Sequence, residues 1–166
     1  VWGTSQNIYD ICDREGVLAL VGWSCHWEWE VYTGKPNDRF GCLSTEEDID
    51  LISESWRDQI LWLRNHPSII CWYAASDMLP RPALEQRYLD ILAEIDDRPY
   101  TVHAGSSKSP LSGPSGMKMW GPYEWQAPYY WYSEEAKGNA VGFNTEIGIG
   151  AQFPVYESLI KFIPED

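Results

Sequence analysis

Residues 44–77, STEEDIDLISESWRDQILWLRNHPSIICWYAASD, hold one complete helix-to-strand unit. Ser44 and Glu47 make the S-x-x-E pattern of a capping box, in which side chains and backbone satisfy each other's unpaired donors at a helix start. Behind it Ile49, Ile52, Trp56, Ile60 and Leu63 recur at steps of 3, 4, 4 and 3, the period of a helix with one apolar face. Asn65-His66-Pro67 ends it, because the residue before a proline is driven out of the helical region. Ile69 to Ala75 (IICWYAA) is then an unbroken apolar run of strand length, expected to be buried on both faces. It finishes on Ser76-Asp77, which predicts a carboxylate at the strand's carboxyl end.

The alternation continues in both directions. Ile8 to Glu15 reads as the end of a short helix closed by Gly16 as a left-handed cap. Val17 to Trp23 (VLALVGW) reads as a second buried strand, followed by a polar loop from Ser24 to Leu43. Downstream, Leu84, Tyr88, Ile91, Leu92 and Ile95 mark a helix that stops before Pro99, and Tyr100 to Ala104 a short strand. Gly105 to Tyr123 is a Gly/Pro/Ser loop whose length marks it as functional or mobile. Tyr129–Tyr132 and, more strongly, Ala140–Asn144 read as strands, the latter running into Thr145-Glu146. Pro154 opens a last helix with Val155, Leu159, Ile160 and Ile163 on one face.

Alternating helices and buried strands predict an α/β fold with a parallel sheet covered by helices. The loops after the strands are long and those before them short, as in a (β/α) barrel, where the working loops follow the strands. A full barrel needs about 250 residues, whereas this chain has 166 and five candidate strands. The predicted fold is therefore a partial (β/α)8 TIM barrel, residues 1–166 forming a single fragment of it.

Composition sets limits on function. Hydrophobic residues make up 44% and charged residues 22% of the chain, as in globular domains. Twelve basic residues against 25 acidic ones give a formal charge of −13, which would repel a phosphate backbone, so nucleic acid is not an expected partner. No run approaches the roughly 18 apolar residues of a membrane helix, and the amino terminus lacks a signal-peptide layout. Ten Trp and ten Tyr exceed what a core alone asks for, since each buried Trp N–H needs a partner. The surplus suggests a surface that stacks on a flat, partly apolar ligand such as a sugar; a heavily aromatic core is the alternative. Among the four cysteines, Cys12 and Cys71 sit in apolar runs as small core residues. Cys25 and Cys42 flank one polar loop and would pair in an oxidising compartment. Cys25-His26 has no complementary ligand pair, so no metal is assigned.

Familiar catalytic signatures are missing. Gly113-Pro-Ser-Gly116-Met-Lys118 has the wrong spacing for a phosphate loop, and neither G-x-S-x-G nor H-E-x-x-H occurs. Gly148-Ile149-Gly150 is too little for a dinucleotide loop. His66, at a helix end, reads as a cap for the last carbonyls. His103, at the end of a strand, either points into a barrel mouth or is structural. The two carboxylates at strand ends, Asp77 and Glu146, remain. In a barrel both would face the mouth, and two carboxyls about 5–5.5 Å apart are the apparatus of retaining glycosidases. Each also has a bland reading, Asp77 as a turn cap toward Pro80 and Glu146 as an exposed loop residue.

Four stretches, IYDICDREGVLALVGW, LRNHPSIICWYAASD, SGPSGMKMWGPYEWQAPYYWY and GFNTEIGIG, resemble the catalytic barrel of glycoside hydrolase family 2, and within it the exo-β-D-glucosaminidase branch. The resemblance covers nearly the whole chain, in family order. It implies barrel strands three to seven, with the flanking β-sandwich domains of that family absent from these residues. Asp77 then corresponds to the acid/base after strand four, and Glu146 to the nucleophile after strand seven. The acid's raised pKa is expected from the Glu146 carboxylate and surrounding Trp and Tyr. Ser76 stands where most of the family has Asn, leaving room for an ammonium that needs acceptors rather than a donor amide.

Trp120, Tyr123, Trp125, Tyr130 and Trp131 fall where the family builds the walls of the first sugar subsite. Trp120, Tyr123 and Trp131 are expected to bind sugar, while Trp125 and Tyr130 are equally well explained by core packing. Asn144 is expected either to hydrogen-bond near the nucleophile or to hold the strand end. Trp2-Gly3 departs from the glucosaminidase pattern, which has Glu before that glycine, and is more like the β-mannosidases; Ser24 likewise replaces an acidic residue.

The resemblance therefore implies a retaining exo-β-glycosidase that removes terminal β-1,4-linked glucosamine from chitosan oligosaccharides, with no metal or organic cofactor. The rivals are a β-mannosidase or endo-β-mannosidase of the same family and, from another class, a non-catalytic carbohydrate-binding protein. The expected partner is an oligosaccharide. Enzymes on polymeric sugars tend to be exported, so secretion or a periplasmic location is favoured over retention.

Overall fold

The computed structural model describes residues 5–22, 36, 38–119, 121–132, 143–148 and 154–163, apart from the side chain of Trp131. The chain divides into two compact units, Val1–Lys118 and Met119–Asp166.

The first unit is built on a parallel sheet in the order β1-β2-β3, where β1 is Ala19–Gly22, β2 Ile69–Tyr73 and β3 Tyr100–Thr101. Helix α1 (Gln6–Glu15) precedes β1, α2 (Glu46–Leu63) lies between β1 and β2, and α3 (Pro82–Ile95) between β2 and β3. This is the mixed α/β class predicted from the alternation.

The core follows the predicted periodicity. Ile49, Trp56, Ile60 and Leu63 of α2 meet Leu84, Tyr88 and Leu92 of α3, and both helices pack on Val21, Ile69, Trp72 and Ala74 of the sheet. Trp56 is the hub, edge-on to Trp72 with ring centroids 6.3 Å apart and tilted against Tyr88 at 5.0 Å. Aromatic pairs in this arrangement add to the stabilisation from burial itself.

Local chemistry moves several predicted boundaries. The capping box of α2 is Thr45 with Asp48, one residue later than Ser44 with Glu47. Asp48 wins because its Oδ2 accepts from the backbone amides of both Ser44 and Thr45, at 3.3 and 3.2 Å, while the Asp48 amide donates to Thr45 Oγ1. Strand β1 starts at Ala19 rather than Val17, because the Val17 amide is used to close α1 on the Cys12 carbonyl at 2.9 Å. Gly16, with φ of 69°, is the left-handed cap that the sequence predicts. Ile70 is exposed, so β2 is not buried on both faces along its whole length.

The Gly105–Tyr123 stretch is more ordered than a plain loop. It contains an antiparallel hairpin of β4 (Lys108–Ser109) and β5 (Gly113–Pro114), followed by β6 (Met117–Lys118). The hairpin is fastened to α3 through Glu85, a buried carboxylate that accepts from the hydroxyls of Ser109 and, at 2.6 Å, of Ser112. Thr101 Oγ1 donates to the Ser115 carbonyl at 2.9 Å, tying the far side of the stretch to β3.

The second unit contains a 3₁₀ helix (Pro128–Tyr132), β7 (Phe143–Asn144) and the short α4 (Tyr156–Leu159). Tyr129–Tyr132 is thus helical, not a strand. Pro128 pre-sets the turn, and the Tyr130 amide bonds the Ala127 carbonyl at 2.9 Å. Residues 140–142 of the predicted Ala140–Asn144 strand lie outside the described residues. The last helix is four residues long, and Val155, Ile160 and Ile163, which the sequence sets on one apolar face, are exposed. Among the described residues, no helix is long and apolar enough to cross a membrane.

Candidate active site

In the first unit, the carboxyl end of the sheet places Ser76 and Asp77. Pairing between β2 and β3 aligns Tyr73 with Thr101 and persists past the strand ends, with the Ala104 amide donating to the Ala75 carbonyl at 3.0 Å. Asp77 follows two residues later and is exposed, and Ser76 donates its hydroxyl to Asp77 Oδ1 at 2.8 Å. A short hydroxyl beside the carboxylate therefore orients it, a role the sequence did not assign to Ser76. His103 is buried; its Nδ1 accepts the Gly105 amide at 2.8 Å, so the neutral ring carries its proton on Nε2.

His66 sits at the opposite, amino end of β2 and does not cap carbonyls. Its Nδ1 donates to Asp13 Oδ2 at 2.7 Å, and Asp13 Oδ1 accepts the Ser68 amide at 2.9 Å. This joins α1 to the start of β2. The nearby Ser68 hydroxyl, with the His66 ring and the Ser68 amide, holds the Asp13 carboxyl below its ordinary value against the opposing effect of burial. Asp10, Asp13 and His66 bring ligand atoms within 4.8 Å of one another, but the His66 nitrogen facing the carboxylates is engaged by Asp13.

In the second unit, Gly121-Pro122-Tyr123 is bound to the Asn144–Gly148 segment by hydrogen bonds from side chains and backbone. Asn144 Nδ2 donates to the Gly121 carbonyl at 2.7 Å, and the Gly148 amide donates to the Pro122 carbonyl at 2.9 Å. Tyr123 Oη lies 2.7 Å from Glu146 Oε2. The same hydroxyl lies 2.8 Å from the Met119 carbonyl, so one proton serves two acceptors. Gly121 is needed for this approach. Its φ is 79°, and a Cβ there would stand 2.6 Å from the Tyr123 amide nitrogen and 3.0 Å from the Tyr123 ring. Glu146 is half-buried between solvent and this turn.

Glu146, Tyr123 and Asn144 are thus gathered in the second unit, and Asp77 and Ser76 in the first. Asn144 holds the strand end, as one of its two readings had it, and its Oδ1 is a buried acceptor with no hydrogen-bond partner among the described residues. Trp2, Trp120, Ser24 and Cys25 lie outside the described residues, as does the side chain of Trp131. Tyr130 is buried, whereas Trp125 is exposed and has no core packing among the described residues. The Tyr123–Glu146 bond was not foreseen. Tyr123 was read as a subsite wall, and 23 residues separate the two, too far for any local pattern.

No family model matches the chain. Over 95% of its length it is 38% identical to an exo-beta-D-glucosaminidase of Streptomyces avermitilis and 37% identical to that of Amycolatopsis orientalis. An exo-beta-D-glucosaminidase of Arthroderma benhamiae is 34% identical over 96% of the chain. The crystal structure of the Amycolatopsis orientalis exo-chitosanase superposes with a TM-score of 0.80 at 34% identity, covering 96% of this chain and 19% of that one. The resemblance to exo-β-D-glucosaminidases read from the sequence is borne out. The chain spans between 15% and 19% of the length of these curated relatives.

Proposed function

We propose that the chain carries the catalytic carboxylates of a retaining exo-β-glycosidase that releases terminal β-1,4-linked glucosamine from chitosan oligosaccharides. The observation that carries this reading is Glu146, half-buried at the end of β7 and held by the Tyr123 hydroxyl at 2.7 Å, in a chain homologous over 95% of its length to exo-β-D-glucosaminidases. Glu146 attacks the anomeric carbon while Asp77, oriented by Ser76, protonates the departing glycosidic oxygen. The glycosyl ester on Glu146 is then opened by water that Asp77 deprotonates, giving product of retained configuration. The reading requires the two carboxyls to flank one glycosidic oxygen at about 5–5.5 Å, and with it a partial (β/α)8 barrel in which β1, β2 and β3 are three neighbouring strands.

A spacing supports the assignment. Two solved structures of the Amycolatopsis orientalis exo-chitosanase hold PNP-beta-D-glucosamine in variants where one glutamate or one aspartate is changed to alanine, and those two positions are 72 residues apart. Asp77 and Glu146 are 69 apart. Substituting Glu146 by Gln in the intact protein should abolish hydrolysis of an aryl β-glucosaminide; near-normal turnover would remove it from the nucleophile role. A β-mannosidase is the second reading, favoured by Trp2-Gly3. Rates on aryl β-glucosaminide and aryl β-mannoside, measured side by side, decide between them.

A further inference from the structure

We propose that Arg81 is a positioning residue for Asp77, clamping the loop that carries the proposed acid/base to the Asp38–Leu43 stretch that leads into α2. The inference rests on the function proposed above and assigns the residue that holds its acid in place. Arg81 stands four residues after Asp77, at the N-cap of α3. Its Nε donates to the Leu43 carbonyl at 3.1 Å, and its Nη2 donates to Asp38 Oδ2 at 3.0 Å. One rigid guanidinium fork thus joins two acceptors, a geometry that a lysine does not reproduce. The partner stretch is itself ordered. Asp38 Oδ1 accepts the Phe40 amide at 2.8 Å, and the backbones of Asp38 and Gly41 bond each other in both directions, at 3.3 and 3.0 Å. That leaves Asp38 Oδ2 for Arg81. The Phe40 amide and then the Arg81 guanidinium hold the Asp38 carboxyl below its ordinary range. The Arg39 and Arg81 guanidinium carbons lie 4.6 and 5.8 Å from the Phe40 ring centroid, within cation–π range.

The loop between β2 and α3 transmits the clamp to Asp77. At its start, the Ala75 carbonyl is fixed by the Ala104 amide at 3.0 Å. At its end, Leu79-Pro80-Arg81-Pro82 is stiff, because each proline fixes its own φ and drives the residue before it into extended backbone. Arg81 has that conformation, with φ −57° and ψ 138°, and Pro80 is buried. Ser76, Asp77 and Met78 alone lie between the two anchored ends, so loosening the Arg81 end loosens the carboxylate. The Arg81–Asp38 ion pair contributes little to stability, as such pairs usually do. Its effect is on geometry, where a misplacement of about 1 Å can cost about a hundredfold in rate. An acid that must deliver a proton to one glycosidic oxygen is sensitive to that kind of error.

The test compares Arg81→Ala, Asp38→Asn and the double variant of the intact protein on two substrates. The glucosamine dimer needs its leaving oxygen protonated, and 2,4-dinitrophenyl β-glucosaminide does not. Arg81→Ala should lower kcat/KM, which reports bond cleavage rather than the later release step, about tenfold on the dimer and leave it within twofold on the dinitrophenyl substrate. Asp38→Asn keeps an acceptor for the Phe40 amide and removes the charge that faces Arg81, so it should show a smaller loss, about threefold, on the dimer alone. The double variant should be no worse than Arg81→Ala. Equal losses on both substrates would mean a general structural defect and overturn the proposal, as would an unchanged rate on the dimer or losses that multiply in the double variant. Should Arg81→Ala fail to fold, Asp38→Asn decides by the same two-substrate comparison. Asp77→Ala, run alongside, separates this inference from the function beneath it. If it loses no more on the dimer than on the dinitrophenyl substrate, or if the parent hydrolyses neither, the proposed function fails. Amide exchange then decides the clamp alone: faster exchange at residues 77–79 in Arg81→Ala supports it, and unchanged exchange refutes it.

Discussion

Replacing Tyr123 by Phe removes one oxygen and keeps the ring. That oxygen lies 2.7 Å from Glu146 Oε2 and 2.8 Å from the Met119 carbonyl. A hydrogen bond to a charged group contributes about 1.5–3 kcal/mol. Tyr123 is half exposed and its single proton is shared between two acceptors, so the lower end applies. About 1.4 kcal/mol corresponds to a tenfold change in rate. In the proposed mechanism the hydroxyl acts on Glu146 as nucleophile rather than on the sugar, and the ring that would stack on the sugar is retained. Tyr123→Phe should therefore lower kcat on an aryl β-glucosaminide about tenfold with KM within twofold. Initial rates over a range of substrate concentrations read both constants, and a melting curve confirms that the variant is folded. A kcat within twofold of the parent would refute the reasoning, and so would a tenfold rise in KM at constant kcat, which would make Tyr123 a sugar contact instead.

Two further predictions concern the scaffold. Glu85→Ala removes a buried carboxylate that accepts from Ser109 and Ser112. Two charge-assisted bonds at about 1.5–3 kcal/mol each, offset in part by relief of a buried charge, give a loss of about 2–4 kcal/mol. Equilibrium urea unfolding measures it, and a loss below about 0.5 kcal/mol, the level of an ordinary surface change, would contradict the anchoring role. Asp13 is held below its ordinary value of 3.8 by the Ser68 hydroxyl, the His66 ring and the Ser68 amide, so its ionised form stabilises the fold at pH above that value and the contribution fades as pH falls below it. Asp13→Asn should therefore melt below the parent at pH 5 to 7, with the gap closing under about pH 4. A gap independent of pH would show that the carboxylate charge plays no part.

What the sequence disclosed depended on the range of the interaction. Helix α2 was legible because Ile49, Trp56, Ile60 and Leu63 lie on one face whatever their partner, and α1 because Gly16 permits the left-handed cap. Boundaries slipped where two residues competed for one role, as when Asp48 rather than Glu47 closed the capping box. The PYYWY segment was misread because aromatic residues favour strands on average, while Pro128 and the Tyr130 amide commit it locally to a 3₁₀ turn. The face predicted for the last helix has the right period but no partner among the described residues, so Val155, Ile160 and Ile163 remain exposed.

At the candidate site, Asp77 and Glu146 could be singled out as carboxylates at strand ends. Their roles came from the resemblance and not from spacing. The supporting contacts were not legible at all. The Ser76 hydroxyl on Asp77 is one of several rotamers open to a serine, and the Tyr123–Glu146 and Glu85–Ser109 bonds join residues 23 and 24 positions apart. Contacts at that range are set by tertiary packing, for which a single sequence has no periodic signal.

The central claim is that Glu146 becomes covalently glycosylated while Asp77 supplies and then removes the proton. An Asp77→Ala variant of the intact protein, given an aryl β-glucosaminide whose leaving group needs no protonation, should form the glycosyl-enzyme and then stall for want of a base. Mass spectrometry of the quenched protein should show one added hexosamine unit, and peptide mapping should place it on Glu146. A label on any other residue, or none while the aryl group is still released in a rapid burst, would contradict the account.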